Sequence, residues 1–170
     1  MAIWFTDYSD LDLNQGYVGL DKHLEIEFLE LGEDYLRAKM PVNENTKQPM
    51  GLLHGGASCV LAESVASFAA FLCIDPKLKT VVGLNLYASH LKSAKSGFVF
   101  GKAKPKHIGK STSVWEVEIT NVPEPRVRGD VGARAGPITL HAGAARRRHP
   151  GQVHLSRPPA GVPSVVRLCL

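Results

Sequence analysis

The sequence predicts an α+β fold in which one long, buried helix is covered by an antiparallel sheet. Residues 53–74 are long enough for about five helical turns, and Glu63 is the single formally charged residue across positions 48–74. A helix that is apolar on nearly every side is a buried one. Short connections between the strand candidates favour antiparallel pairing. The strand candidates are residues 23–31, 35–42, 80–91, 98–105 and 113–120.

The elements before the long helix follow local patterns. Leu11 and Leu13, with Asp10 as a candidate cap, favour a short helix over residues 7–15. Apolar and charged residues alternate with period two in the first two strand candidates, which predicts a hairpin turning at residues 32–34. The long helix itself is rich in Gly, Ala and Ser, so a sheet can approach its backbone closely.

The composition is that of a globular protein, with 44% hydrophobic and 21% charged residues in 170. The N-terminus lacks the pattern of a signal peptide, and no run of about 20 residues is free of polar groups. We therefore expect a cytoplasmic protein with no membrane partner. Three cysteines without a CxxC pair and seven histidines without HxH, HxxxH or HExxH spacing indicate no disulfide framework and no zinc site. We expect neither a metal nor a cofactor.

The composition changes near residue 121. All 11 lysines lie at or before Lys110, 8 of the 9 arginines lie at or after Arg126, and 7 of the 11 prolines follow residue 121. Periodicity also stops there, so we predict a domain over residues 1–121 and an irregular Arg/Pro/Gly-rich tail over residues 122–170. One hypothesis is translation of GC-rich codons in a shifted reading frame. The alternatives are a natural low-complexity basic tail and an added extension.

Glu63 is the main candidate for chemistry. An ionised carboxylate in apolar surroundings is costly unless it is paired, so we expect a raised pKa or specific polar partners. Such groups are often functional. Ser67 lies one turn further along the helix, where it can hydrogen-bond the carboxylate or a water that the carboxylate activates. The alternative is a buried glutamate satisfied by backbone donors.

The start of the long helix is a second candidate. His54, Gly55 and Gly56 precede or form its first turn, whose free N–H groups can stabilise an oxyanion. Glycine allows a substrate carbonyl to approach the backbone, and Gln48 or His54 can orient the same group. The alternative is a tight turn into the helix. A nucleophilic role for Cys59 is disfavoured, because no neighbour in the sequence lowers its pKa.

Three segments carry a resemblance to a known family: TKQPMGLLHGGASCVLAES (46–64), VVGLNLYASHLKSA (81–94) and KPKHIGKSTSVWEVEI (104–119). They resemble the hotdog thioesterases of the PaaI-like branch, and most closely the bacterial aryl-CoA hydrolases that act in menaquinone synthesis and in proofreading of enterobactin assembly. The resemblance covers about residues 10–121. It implies a hotdog fold, edge-to-edge homodimers that often pair into homotetramers, and active sites at the dimer interface.

By position, the resemblance makes Glu63 the nucleophile or general base in hydrolysis of an aromatic or medium-chain acyl-CoA. The Gly55 N–H polarises the thioester carbonyl, and Gln48 and His54 help to hold the acyl group, facing Glu63 from the other subunit. Ser64 and Ser67 line the pocket. The resemblance also implies a basic surface for the CoA phosphates, for which the alternative is a solvated face: His90, Lys92, Lys106, His107, Gly109, Lys110 and Ser111.

The sequence departs from the family after Asn121, where the period-two segment of the last sheet strand does not follow. We therefore expect that strand to be missing; the short pieces at 138–140 and 165–168 match neither its length nor its position. Two other functions stay open, namely a hotdog dehydratase or hydratase using His54 with Glu63, and a non-catalytic acyl-CoA module. Nucleic-acid binding through the tail is not expected. Phe68, Phe71 and Tyr87 are candidates for acyl selectivity.

Overall fold

A computed structural model describes residues 2–122 and the backbone of residues 131–144. The described part contains two helices, α1 (Gly19–His23) and α2 (Gly55–Leu72). Its strands are β1 (Glu27–Leu31), β2 (Leu36–Pro41), β3 (Lys79–Asn85), β4 (Ala88–His90), β5 (Phe98–Ile108), β6 (Thr112–Thr120) and β7 (Val131–Ala144). They form an antiparallel sheet in the order β1-β2-β5-β6-β7-β3, and β4 continues the edge beside β7.

The core lies between α2 and one face of this sheet. Alternation along β2 buries Leu36, Ala38 and Met40 completely, as the period-two pattern predicts. Trp115 and Val117 of β6 are equally buried. The largest share of the core comes from α2, which contacts β2, β3, β5, β6 and β7: Ala57, Leu61, Ala62, Val65, Ala66, Ala69, Ala70 and Leu72. Seven further buried residues complete it within the described part: Leu24, Ile26, Phe28, Val42, Val99, Ala103 and Ile119.

Small residues bring α2 and the sheet together. A Cβ at Gly101 of β5 would lie 3.3 Å from the Leu61 side chain, so a larger residue there would require Leu61 to shift by a few tenths of an ångström. By length and composition alone, α2 also meets the criteria for a helix that crosses a membrane. Core helices of globular domains meet the same criteria, and α2 packs on the sheet.

The prediction of a helix over residues 7–15 in the N-terminal region is wrong. These residues form turns, because the Asp7 side chain accepts a hydrogen bond from Ser9 N–H and the Asp12 side chain accepts one from Asn14 N–H. Such bonds from a side chain to nearby backbone compete with helix formation. The helical turn comes later, as α1, so β1 begins at Glu27 rather than at residue 23.

The expectation of an irregular tail does not hold over residues 131–144. There β7 pairs with β6 on one side and with β3 and β4 on the other. It occupies the sheet position of the family's last strand, which the sequence was expected to lack. Gly136 and Pro137 both face the single residue Glu116 between two regular stretches of the β6–β7 ladder. A bulge accommodates proline, which cannot donate to a ladder. Residues 123–130 and 145–170 of the predicted tail lie outside the described residues.

Candidate active site

The Glu63 side chain is half-buried in a cavity of about 480 Å³. Ser67 Oγ donates a hydrogen bond to Glu63 Oε1 at 3.3 Å, as the i+4 spacing predicts. The same carboxylate lies against the backbone of Gly83 on β3. The walls come from α2, from the segment before and within α1, and from β1: Leu13, Asn14, Gln15, Gly16, Tyr17, Val18, Asp21, Phe28, Ser64, Ser67 and Phe68.

Burial raises the pKa of the Glu63 carboxyl, and the hydrogen bond from Ser67 works in the opposite direction. The rise follows from partial loss of hydration, which penalises the charged form. A carboxylate that is only partly hydrated and is held by one donor is suited to act as a base or a nucleophile. Glu63 therefore has the raised pKa and the polar partner, Ser67, that were expected for a carboxyl on this apolar helix.

Ser64 also faces this cavity, and its hydroxyl donates a 2.6 Å hydrogen bond to Asp21 Oδ1. The N-terminal segment is anchored beside it. Asn14 exchanges two hydrogen bonds with the backbone of Phe28, and the Tyr17 hydroxyl donates to the carbonyl of Asp21 at 2.7 Å. Sequence reasoning missed this wall, because side chain to backbone contacts across 14 residues leave no periodic signal.

His54 caps the N-terminus of α2. Its ring Nδ1 accepts a 2.8 Å hydrogen bond from Gly56 N–H, and its backbone N–H donates to the carbonyl of Thr46 at 2.8 Å. With Nδ1 as an acceptor, the neutral ring carries its proton on Nε2 and presents that nitrogen as a donor. The helix start thus combines backbone N–H groups of the first turn with an imidazole donor.

Gln48 and Gly55 line a second cavity, of about 400 Å³, together with Ser58, His90 and Lys92. Gln48 Oε1 accepts a 2.7 Å hydrogen bond from Met50 N–H, and a Cβ at Gly55 would lie 2.9 Å from His90 Nε2. Gly55 and Glu63 are eight residues apart on α2, or about 12 Å along its axis. A single chain therefore does not bring the predicted oxyanion donor to the predicted carboxylate.

The predicted CoA residues fall into two groups within one chain. His90 and Lys92 border the Gly55 cavity. Lys106 and His107 lie near the end of β5, just before Ile108, and the turn into β6 contains the other three: Gly109, Lys110 and Ser111. His90 pairs with Ala133 on β7 whereas Thr112 pairs with His141, which separates the groups by roughly 25 Å along the strand.

Two contacts refine the second basic group. Lys106 is paired with Glu116 at 2.6 Å, which offsets its charge. Lys79 at the start of β3 donates from Nζ to the carbonyl of Lys110 at 3.1 Å, and so holds the turn. Sequence reasoning missed Lys79, because β3 and the turn are brought together only by β7.

The cysteines of the described part do not suit nucleophilic chemistry. Cys59 and Cys73 are free thiols, and burial raises the pKa of both, that of Cys73 to about 12. A thiol needs to ionise to attack a thioester. Within the described side chains, no group of three or more His, Cys, Asp or Glu residues is placed to hold a metal ion. Cys169 lies outside the described residues.

A long helix packed against an antiparallel sheet defines the class as the hotdog fold. Comparison with known proteins agrees. The model of the thioesterase superfamily matches residues 50–127. A 1,4-dihydroxy-2-naphthoyl-CoA hydrolase of Escherichia coli strain K12 is 53% identical over 96 residues, which cover 56% of this chain and 70% of the relative. A proofreading thioesterase of Cronobacter turicensis is 43% identical over 118 residues, 69% of this chain and 85% of the relative.

A crystal structure of a thioesterase from Haemophilus influenzae superposes with a TM-score of 0.76 at 35% identity, over 86% of this chain and 99% of that one. The chain belongs to the thioesterase superfamily and is a thioester hydrolase. The resemblance and the hotdog fold predicted from the sequence are thereby confirmed.

Proposed function

We propose that the protein hydrolyses an aromatic or medium-chain acyl-CoA to the free acid and CoA, with Glu63 as nucleophile or general base and the Gly55 N–H as oxyanion donor. The observation that carries the proposal is the Glu63 carboxylate, which is half-buried, has a raised pKa and faces a cavity large enough for an acyl group. Its only hydrogen bond among the described contacts comes from Ser67.

Hydrolysis of the thioester takes one of two routes. In the first, Glu63 attacks the carbonyl carbon, the C–S bond breaks, and the CoA thiolate takes a proton while water hydrolyses the resulting mixed anhydride. In the second, Glu63 removes a proton from the water that attacks the carbonyl directly, the C–S bond breaks, and the CoA thiolate takes that proton. Both routes place negative charge on the carbonyl oxygen, which the Gly55 N–H and the donors of His54 and Gln48 stabilise.

The two halves of this site come together when the edges of two chains pair. The edge along residues 79–91, which contains β3 and β4, exposes four large apolar side chains, 54% to 62% accessible, and a surface of this kind marks an interface: Val82, Leu84, Tyr87 and Leu91. On this edge, Gly83 lies beside the Glu63 carboxylate, and His90 lies beside Gly55 at the start of α2. Antiparallel pairing that sets Gly83 alongside the partner's β4 brings Glu63 toward the partner's Gly55, and so makes a homodimer the active unit. Further pairing into a homotetramer stays a prediction.

Two observations support an aromatic acyl group. Phe28 and Phe68 meet edge to face in the Glu63 cavity, with ring centroids 4.9 Å apart, and Tyr17 adds a third ring to its wall. Aromatic walls favour a planar ligand. In addition, the E. coli relative is named for hydrolysis of a bicyclic aromatic acyl-CoA. Phe71 and Tyr87, which were also predicted to select the acyl group, are surface residues in the single chain, 37% and 58% exposed.

The two basic groups would then bind the CoA phosphates from different chains. His90 and Lys92 border the Gly55 cavity, whereas Lys110 and its turn lie at the far end of the sheet. A single CoA does not need both groups of one chain, because pairing supplies a second copy of each.

The decisive experiment is release of thiol from benzoyl-CoA, detected with DTNB. Glu63→Gln should lose activity by about 100-fold or more, whereas Glu44→Gln, a surface substitution of the same kind, should keep it. Binding of CoA without thiol release by the unaltered chain would favour the non-catalytic module instead.

Mixing two inactive variants tests the shared site. One variant is Glu63→Gln, and the other combines Gln48→Ala with His54→Ala. After their subunits exchange, the mixture should recover about one quarter of the wild-type activity, since half of the dimers are mixed and each mixed dimer has one intact site out of two. A mixture that stays inactive after subunit exchange contradicts a site shared between chains.

A further inference from the structure

Asp21 and Ser64 meet in the wall of the Glu63 cavity, although 43 positions separate them in the sequence. Their hydrogen bond is short, at 2.6 Å, and partly buried. It joins α1 to α2 one residue after Glu63. A carboxylate is thus placed beside the reaction cavity without contacting Glu63 through any described hydrogen bond.

The contact decides which way the Ser64 hydroxyl points. A serine hydroxyl has one proton, and here that proton is donated to Asp21, which leaves lone pairs of Ser64 Oγ to face the cavity. A hydrogen bond to an ionised carboxylate is about twice as strong as one between neutral groups. Ser64 is therefore held as an acceptor rather than rotating freely.

Asp21 is itself held in place. Its carbonyl accepts hydrogen bonds from the Tyr17 hydroxyl at 2.7 Å and from Ile26 N–H at 2.9 Å. Tyr17 lines the same cavity. The carboxylate consequently projects from an anchored backbone and not from a free loop.

We propose that Asp21 is a positioning residue, which acts through Ser64 to set the shape and polarity of the acyl pocket. The inference rests on the proposed function, because it assumes that the acyl group occupies the Glu63 cavity. A rigid ring depends on this wall more than a flexible chain does, so Asp21 contributes to selectivity between acyl groups.

The test compares kcat and KM for benzoyl-CoA and hexanoyl-CoA in Asp21→Ala, Ser64→Ala and the double variant. The ratio of kcat/KM for the two substrates does not depend on the fraction of folded enzyme, so a purely structural role would not change it. Asp10→Ala is the matched control, since Asp10 lies in the same N-terminal segment, is exposed and does not line the cavity. Asp21→Ser serves as a second variant if Asp21→Ala folds poorly.

We expect the benzoyl to hexanoyl ratio to fall by about tenfold in Asp21→Ala and in Ser64→Ala, and no further in the double variant, since each single variant removes the same hydrogen bond. Asp10→Ala should keep the wild-type ratio. An unchanged ratio in Asp21→Ala and Asp21→Ser, or single effects that multiply in the double variant, overturns the inference. Failure of the proposed function would appear separately, as full activity of Glu63→Gln.

Discussion

The carboxylate of Glu63 lies directly against the backbone of Gly83, and a Cβ at position 83 would overlap Glu63 Oε1. Gly83→Ala should therefore displace the carboxylate and lower kcat by roughly 10- to 100-fold, because small misplacements of a catalytic group are costly. Thiol release under substrate saturation measures the effect. Thr80→Ala, an exposed position on the same strand, is the control. A Gly83→Ala enzyme with normal kcat would show that catalysis does not depend on the position of the Glu63 carboxylate against Gly83.

The pH dependence of activity should follow Glu63. Burial raises the pKa of this carboxyl above 4.5, and the Ser67 hydroxyl opposes the rise. Since only the ionised form acts as nucleophile or base, activity is lost as pH falls through the raised pKa. Ser67→Ala leaves burial unopposed, so the acid limb of kcat/KM should move to higher pH. A limb that stays in place or moves to lower pH contradicts the assignment.

Glu63 should also reduce stability at neutral pH. A carboxyl whose pKa is raised by folding binds its proton more tightly in the folded state, so its contribution is most favourable below pH 4.5 and is lost as pH rises through the folded pKa. Because Glu63 is only half-buried, solvent screening limits this penalty, so Glu63→Gln should raise the free energy of unfolding at pH 7 to 8 by at most about 1 kcal/mol. Urea unfolding at several pH values measures it. If Glu63→Gln raised the free energy of unfolding by the same amount below pH 4.5, ionisation of Glu63 would not be the cause of the gain.

Two substitutions at His54 separate its structural and chemical roles. Asparagine can still cap α2, so His54→Asn should retain stability, whereas His54→Ala should lose about 1 kcal/mol. Both remove the Nε2 donor and should lower kcat/KM by about tenfold or more. Thermal unfolding and thiol release measure the two effects. Full activity in His54→Asn would exclude the donor role.

A charge on the exposed edge should separate the chains. Leu84 is 62% exposed on β3, and Leu84→Lys should weaken self-association at least about tenfold, with activity lost in parallel. Sedimentation analysis over a range of concentrations measures it. Leu29→Lys on β1, at the other end of the sheet order, should leave association unchanged. A fully active Leu84→Lys monomer contradicts the shared site.

Local patterns predicted several elements correctly and failed at others. The alternation along β2 and the apolar composition of α2 reflect burial, which their periodicity records directly. The first helix was placed too early, because the Asp7 and Asp12 side chains form turns that compete with helix formation. Strand β7 was missed because its sequence has weak strand propensity, and pairing on both sides supplies what propensity does not.

The sequence by itself determined the long apolar helix, the solitary Glu63 and the Ser67 hydroxyl one turn away, since these depend on spacing within one element. Only the tertiary structure decided that Asp21 meets Ser64, that Gly83 meets Glu63, and that Gly55 and Glu63 face different cavities. Contacts between elements depend on how the chain crosses the sheet, and spacing within a single segment carries no record of that path.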